Sequence, residues 1–171
     1  DCSVPQGSVL GPQEFIAYTE ELASLIERHQ LIHHLYADDT QLLKHANIAN
    51  IPLVISSLEQ CIEAIHQWCA SRRLQLNPSK TEVIWFGSKS SIIKMENTNL
   101  TLHVDGTDIE PVSSVRDLGV VLDNELSMKP HINKVASACF YHLRRLRQVR
   151  RILGVNVTAS LVSAFVLSRL D

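Results

Sequence analysis

The chain has 171 residues, 45% hydrophobic and 20% charged, with a formal net charge of −2, which suits one ordinary folded domain, or one and part of another, and excludes a disordered or fibrous chain. No run of 18 or more apolar residues occurs, and the nearest, Val155–Ser168, is interrupted by Asn156, Thr158 and Ser160, so neither a membrane span nor a membrane partner is expected. Four widely spaced cysteines (Cys2, Cys61, Cys69, Cys139) form no CxxC pair, which argues against a zinc finger or a disulfide framework.

Ser3–Pro12 is a loop rich in turn formers. A helix is predicted from about Pro12 to His29, with Phe15, Tyr18, Leu22, Leu25 and Ile26 on one face and Pro12 in the first turn. Residues 31–36 and 40–44 read as a short β-hairpin with Asp38 and Asp39 at or beside its turn. A second amphipathic helix is predicted from about Pro52 to Arg72, with Asn50 as its cap and Cys61 and Cys69 as buried thiols. Its inward positions are Val54, Leu58, Cys61, Ile62, Ile65, Trp68 and Cys69. Asn77–Lys80 is a turn, and Thr81–Phe86 a strand. Asp105-Gly106, between Thr101–Val104 and Thr107–Val112, is a strong hairpin signal. Ser114–Leu122 reads as a further strand.

From about Met128 to Leu153 the periodicity is helical. Ile132, Val135, Ala136, Cys139, Phe140, Leu143, Leu146 and Val149 are expected inward and the arginines outward, with Gly154 as the C-cap. A last helix is predicted from about Val157 to Leu170. The order describes an α+β body with mostly antiparallel strands, followed by a helical subdomain beginning near Ser127.

Two features carry chemistry. Asp38 and Asp39 lie between the apolar runs 31–35 and 42–43. Adjacent carboxylates near a packed core repel and lose hydration. A divalent cation compensates, and Asp oxygens are hard ligands for Mg²⁺ or Mn²⁺. Solvated turn chemistry is the alternative. His33 and His34 would point to opposite faces of a strand and are not read as a metal pair. Charge is the second feature. Residues 1–125 carry 8 Lys+Arg against 17 Asp+Glu, a net −9, whereas residues 126–171 carry 8 against 1, a net +7. No acid falls between Leu126 and Leu170, while Arg144, Arg145, Arg147, Arg150 and Arg151 cluster. Such a patch attracts phosphates, and nucleic-acid contact is favoured over a merely solvated helix face.

Together these pieces resemble the reverse transcriptase of non-LTR retrotransposons, the long interspersed element type, in order along essentially the whole chain. Val4-Pro5-Gln6-Gly7-Ser8-Val9-Leu10-Gly11-Pro12 resembles the loop that positions template and nucleotide. Tyr36-Ala37-Asp38-Asp39 resembles the catalytic turn, and Leu76-Asn77-Pro78-Ser79-Lys80-Thr81-Glu82 the segment supplying a lysine near the triphosphate. Asp117-Leu118-Gly119-Val120-Val121-Leu122-Asp123 is similar to the primer-grip hairpin, and the helix 128–153 to the thumb.

The resemblance implies a partial polymerase palm over residues 1–126, an antiparallel sheet with helices on one face, and a basic helical thumb over 127–171. It implies RNA-directed DNA synthesis by a two-metal mechanism, with Asp38 and Asp39 as ligands of Mg²⁺ (or Mn²⁺) and Lys80 as a third catalytic group. Pro5, Gln6, Gly7, Ser8 and Tyr36 would then contact nucleotide and template. Leu118 and Gly119 would contact the primer, and Arg144, Arg145 and Arg147 the nucleic-acid backbone. The implied partners are an RNA template, a DNA primer and deoxynucleoside triphosphates. A nuclear location is expected from the family, and no targeting signal is visible.

The family's third metal-binding aspartate lies on a strand upstream of the Val-Pro-Gln-Gly-Ser loop. Only three residues precede Val4, so the isolated chain is expected to be inactive. The alternative is a non-catalytic nucleic-acid-binding remnant in which only the arginine helix works.

Overall fold

The computed structural model describes residues 9–170, so Pro5, Gln6, Gly7 and Ser8 lie outside the described residues. The chain divides into two compact units, Asp1–Val83 with Ile93–Pro111, and Ile84–Ile92 with Val112–Asp171.

In the first unit, α1 (Gly11–Arg28) opens with a proline in its first turn and buries Leu22 and Ile26, one helical turn apart. Strands β1 (Ile32–Tyr36) and β2 (Asp39–Leu43) pair antiparallel from Ile32↔Leu43 to Tyr36↔Asp39. A 3₁₀ turn, Ile48–Asn50, then leads into α2 (Ile51–Ser71). Asn50 occupies the cap position but makes no capping bond, and its φ of −101° and ψ of 7° lie outside the extended region that a capping side chain needs. The expected cap is thus absent.

Helix α2 serves two cores. Its Cys61, Ile65 and Cys69 pack with Leu22, Ile26 and Leu31, joined by Leu25, Leu42, Leu58, Trp68 and Leu74. Its Ile55, Leu58 and Ile62 cover Leu102, Val104 and Ile109. Those three belong to the hairpin β3 (Leu102–Val104) and β4 (Thr107–Ile109). Its turn residues Asp105 and Gly106 both have positive φ, +47° and +71°, as a type I′ turn requires. Glu59 of α2 accepts the His103 backbone N–H at 2.9 Å, which fixes this hairpin's register on the helix.

Several expectations need correction. Thr81–Phe86 is no strand: Val83 makes a lone parallel bridge to Pro111, whose missing N–H stops a ladder from growing. Ser114–Leu122 is not one strand but a hairpin, β5 (Ser114–Asp117) and β6 (Val120–Asp123), turning at Leu118-Gly119. The described strands form three separate two-stranded antiparallel sheets, not one. A short helix, α3 (Lys89–Met95), was not anticipated. Its signal is Ser88, whose hydroxyl accepts the Ser91 N–H at 3.3 Å.

In the second unit, α4 runs Lys129–Phe165 with a break at Gly154, at φ 74° and ψ 171°. Beyond that break the chain folds back. Cys139 Sγ donates to the Val166 carbonyl at 3.9 Å, and the His142 ring stacks on Phe165 with centroids 5.2 Å apart. Residues this far apart would be separated by about 40 Å in one unbroken helix. The glycine therefore ends the first segment as expected, and the two segments form an antiparallel helical pair. Of the face expected inward, only Cys139 and Leu146 are buried, while Ile132, Phe140, Leu143 and Val149 are exposed. The returning segment is short and covers only the positions facing it, so the apolar stripe is wider than its cover.

Among the described residues two helical segments, Ile48–Ser71 and Lys129–Arg169, are long and apolar enough on average to cross a bilayer. In the first, Ile55, Leu58, Cys61, Ile62, Ile65, Trp68 and Cys69 belong to the two cores just described.

Gly154 has open space around it, so a methyl group there would meet no atom and would strain only the backbone. Gly154→Ala is expected to lower stability by about 1–3 kcal/mol in urea unfolding and to weaken the nuclear Overhauser contacts between His142 and Phe165. Unchanged stability together with unchanged contacts would contradict this account of the fold-back.

Candidate functional site

The β1–β2 turn is as tight as a hairpin allows. Tyr36 and Asp39 form the last rung, which leaves only Ala37 and Asp38 in the loop. Ala37 has φ +52° and Asp38 is not among the positive-φ residues, the sign pattern of a type II′ turn. Such a position prefers glycine, and alanine carries the smallest Cβ that can occupy it, at a cost of roughly 1–2 kcal/mol. The hairpin is seated through Leu31 and Leu42 in the α1–α2 core.

This seating projects the tip outward. Tyr36, Asp38 and Asp39 are exposed, and among the described residues neither carboxylate makes a hydrogen bond or ion pair. Carboxylates on two adjacent residues therefore stand at a short, rung-closed turn with no partner among the described residues. All the donors are hard oxygens, which fits Mg²⁺ or Mn²⁺. Among the described residues no group of three or more His, Cys, Asp or Glu could hold a metal ion. The donor set here matches the way Mg²⁺ is commonly held, by one or two carboxylates with water and substrate phosphate completing the shell.

Lys80 stands elsewhere in the same unit, at the end of a 3₁₀ turn, Pro78–Lys80. Asn77 Oδ1 accepts from the Ser79 N–H at 3.1 Å and from the Ser79 hydroxyl at 2.6 Å, so this turn is built by its own side chains. The Lys80 side chain is exposed.

In the second unit, Leu118 and Gly119 form the β5–β6 turn with φ +43° and +93°. An exposed leucine in the left-handed region is uncommon; it places an apolar tip at the end of the hairpin. Arg144, Arg145, Arg147, Arg150 and Arg151 are all exposed on α4. Arg145 alone of these has ring and hydrogen-bond contacts among the described residues: its Nη1 donates to the Tyr141 hydroxyl at 2.8 Å, and its guanidinium lies 5.7 Å from that ring's centroid. The arginine patch was legible from composition. Tyr141 was missed, although a Tyr four residues before an Arg on a helix is a signal for such a pair.

Asp123, the last residue of the motif similar to the primer grip, has a structural role. It is buried, and its two oxygens accept the backbone N–H groups of Ser127 at 3.1 Å and Met128 at 3.0 Å, just ahead of α4. Burial pushes its pKa upward, but the bonds from Ser127 and Met128 outweigh that and hold the carboxyl below the usual Asp value.

The family profile described as reverse transcriptase (RNA-dependent DNA polymerase) matches residues 1–122. The chain is 28% identical over 163 residues to a probable RNA-directed DNA polymerase from transposon BS of Drosophila melanogaster, covering 92% of this chain and 17% of that protein. It is 25% identical over 140 residues to the RNA-directed DNA polymerase from mobile element jockey of the same species, covering 79% and 14%. The corresponding jockey protein of Drosophila funebris is 26% identical over 141 residues, covering 79% and 14%. The chain thus spans about a sixth or less of the length of these curated relatives. No solved structure matches it.

Asp123 stabilises the fold in its charged form. Its folded pKa is depressed, so its contribution is fully present above the unfolded value of about 3.9 and is lost as pH falls through the lower folded value. Asp123→Ala is expected to lower the urea midpoint at neutral pH, with the gap to wild type closing as the pH is taken below the unfolded value. A gap that stays constant into strong acid would remove the carboxylate from the argument.

Proposed function

Because this chain belongs to the reverse transcriptase family, of the non-LTR (LINE) type, we propose that it forms part of the palm and thumb of an RNA-directed DNA polymerase. The carrying observation is the β1–β2 tip, where two exposed, unpaired carboxylates occupy a rung-closed turn inside the region matched by the family profile. We assign residues 1–126 to the palm and 127–171 to the thumb. This functional division differs from the compact units, in which the β5–β6 hairpin groups with α4.

The proposed reaction joins a primer 3′-hydroxyl to the α-phosphorus of a deoxynucleoside triphosphate while the bond to the β-phosphate breaks and pyrophosphate leaves. Asp38 and Asp39 would hold Mg²⁺ (or Mn²⁺), which when bound stabilises charge on the attacking and departing oxygens. The tight turn restricts both carboxylates before substrate arrives, so little ordering remains at the moment of reaction. Tyr36, on the same rung as Asp39, would lie beside the incoming nucleotide, with Pro5, Gln6, Gly7 and Ser8 completing that surface. Lys80 would neutralise phosphate charge and return a proton to the departing pyrophosphate. The Leu118-Gly119 tip would rest against the primer backbone, the glycine allowing close approach.

Arg144, Arg145 and Arg147 would follow the RNA–DNA duplex, reading charge and shape. Their exposure on a helix without acids also favours a second reading, a nucleic-acid-binding remnant in which the aspartates no longer work. Since only two carboxylates stand at the tip, the 171-residue chain is proposed to bind duplex but not to extend primers. The nucleus is its proposed location.

Two measurements test this. Mn²⁺ titration followed by electron paramagnetic resonance should show weak binding that disappears in Asp38→Ala and in Asp39→Ala; binding unaffected by both substitutions would remove the metal role. In a primer-extension assay on an RNA template with Mg²⁺, the chain should yield no product, whereas an RNA–DNA hybrid should bind with an affinity that falls steeply with salt. Extension that vanishes in Asp38→Ala would refute the inactivity, and salt-insensitive or absent hybrid binding would refute the thumb assignment.

A further inference from the structure

Among the described residues two arginines lie over aromatic rings, and their surroundings differ in a way that bears on function. Arg72 lies over Tyr18 and Trp68, 5.7 and 5.8 Å from the ring centroids, and is paired with Glu21. Its charge is therefore spent inside the fold. Arg145 lies over Tyr141 at 5.7 Å and donates to the Tyr141 hydroxyl at 2.8 Å, but no acid occurs between Leu126 and Leu170. Tyrosine holds the guanidinium without neutralising it. One N–H donor is used, and the rest of the planar fork stays available for a phosphate.

The tyrosine ring is itself braced. It meets His142 edge-on at 5.3 Å, and His142 stacks on Phe165 at 5.2 Å with an interplanar angle of 11°. Phe165 lies beyond the Gly154 break, so the returning segment reaches Arg145 through an unbroken line of ring contacts. A long flexible cation that is already ordered loses less freedom on binding than a free one. Arg144, one residue away and equally exposed, has no ring beneath it among the described residues.

We propose that Tyr141 is a positioning residue that presents Arg145, in one preset geometry, to the sugar–phosphate backbone of an RNA–DNA hybrid. This rests on the duplex-binding assignment of α4 made above. Because Tyr141 contributes no charge, its removal should weaken binding without changing how many counterions are released.

The test titrates the full 171-residue chain with a fluorescent RNA–DNA hybrid across a range of salt concentrations. Tyr141→Leu is expected to weaken binding about two- to fivefold, the scale of an exposed cation–ring contact, while leaving the slope of log affinity against log salt unchanged. Arg145→Ala should weaken binding and make that slope shallower by about 0.9, the value per phosphate contact on B-form duplex. Adding Tyr141→Leu to Arg145→Ala should cost nothing more. Tyr141→Phe, which keeps the ring against His142 and so guards against misfolding, should lose affinity in the native background and lose none in the Arg145→Ala background. If the tyrosine variants cost the same factor with and without Arg145, or cost nothing in either, the positioning role is overturned. If Arg145→Ala is silent while the hybrid still binds, the assignment of Arg145 to the duplex fails instead.

Discussion

The packing of α1 against α2 is the constraint on which the rest of the first unit depends. Ile26 and Cys61 are each 0% exposed, and the hairpin that carries the paired aspartates has no sheet of its own to rest on. A two-stranded hairpin is marginal in water, and burying one large aliphatic side chain contributes roughly 1.5–3 kcal/mol. Leu31 and Leu42, set into the core around Ile26, Cys61 and Ile65, supply the anchorage that two strands lack. That anchorage decides which way the turn faces. The apolar ends of the hairpin go inward, so Asp38 and Asp39 go outward, where their charge keeps its hydration.

The second unit solves a different problem by similar means. A long helix rich in arginine and poor in acid gains nothing from the usual side-chain ion pairs. Its stability rests on a buried carboxylate before its first turn, at Asp123, and on a glycine that lets it cover part of its own apolar stripe. Both devices leave the arginine face unneutralised. In the first unit, by contrast, Arg72 is tied to Glu21 and two rings and serves cohesion between α1 and α2.

Much of this was legible from the residues. The positions of α1, α2, the Ala37-Asp38 turn, the Asp105-Gly106 turn and the Gly154 break follow from local rules: apolar spacing, turn chemistry and the tolerance of glycine for positive φ. What escaped was set by partners distant in the chain. Thr81–Phe86 has the composition of a strand, yet its neighbour is Pro111, which offers no N–H. Ser114–Leu122 has the alternation of one strand, yet Leu118 accepts a left-handed turn beside Gly119. The inward face of α4 was overdrawn because periodicity tells which side is apolar, not how much of it another segment will cover.

The sequence by itself determined the chemistry at stake: two adjacent hard carboxylates, a basic helix without acids, and ordered motifs that identify the family. These are local facts, carried by residue type and spacing. The tertiary structure alone decided which of those groups are free. It turned Asp123 inward against the turn ahead of α4 while leaving Asp38 and Asp39 without a partner among the described residues, and it set Arg72 on an acid but Arg145 on a ring. Charge is a property of a residue, whereas availability depends on burial and neighbours, and only the folded chain supplies those.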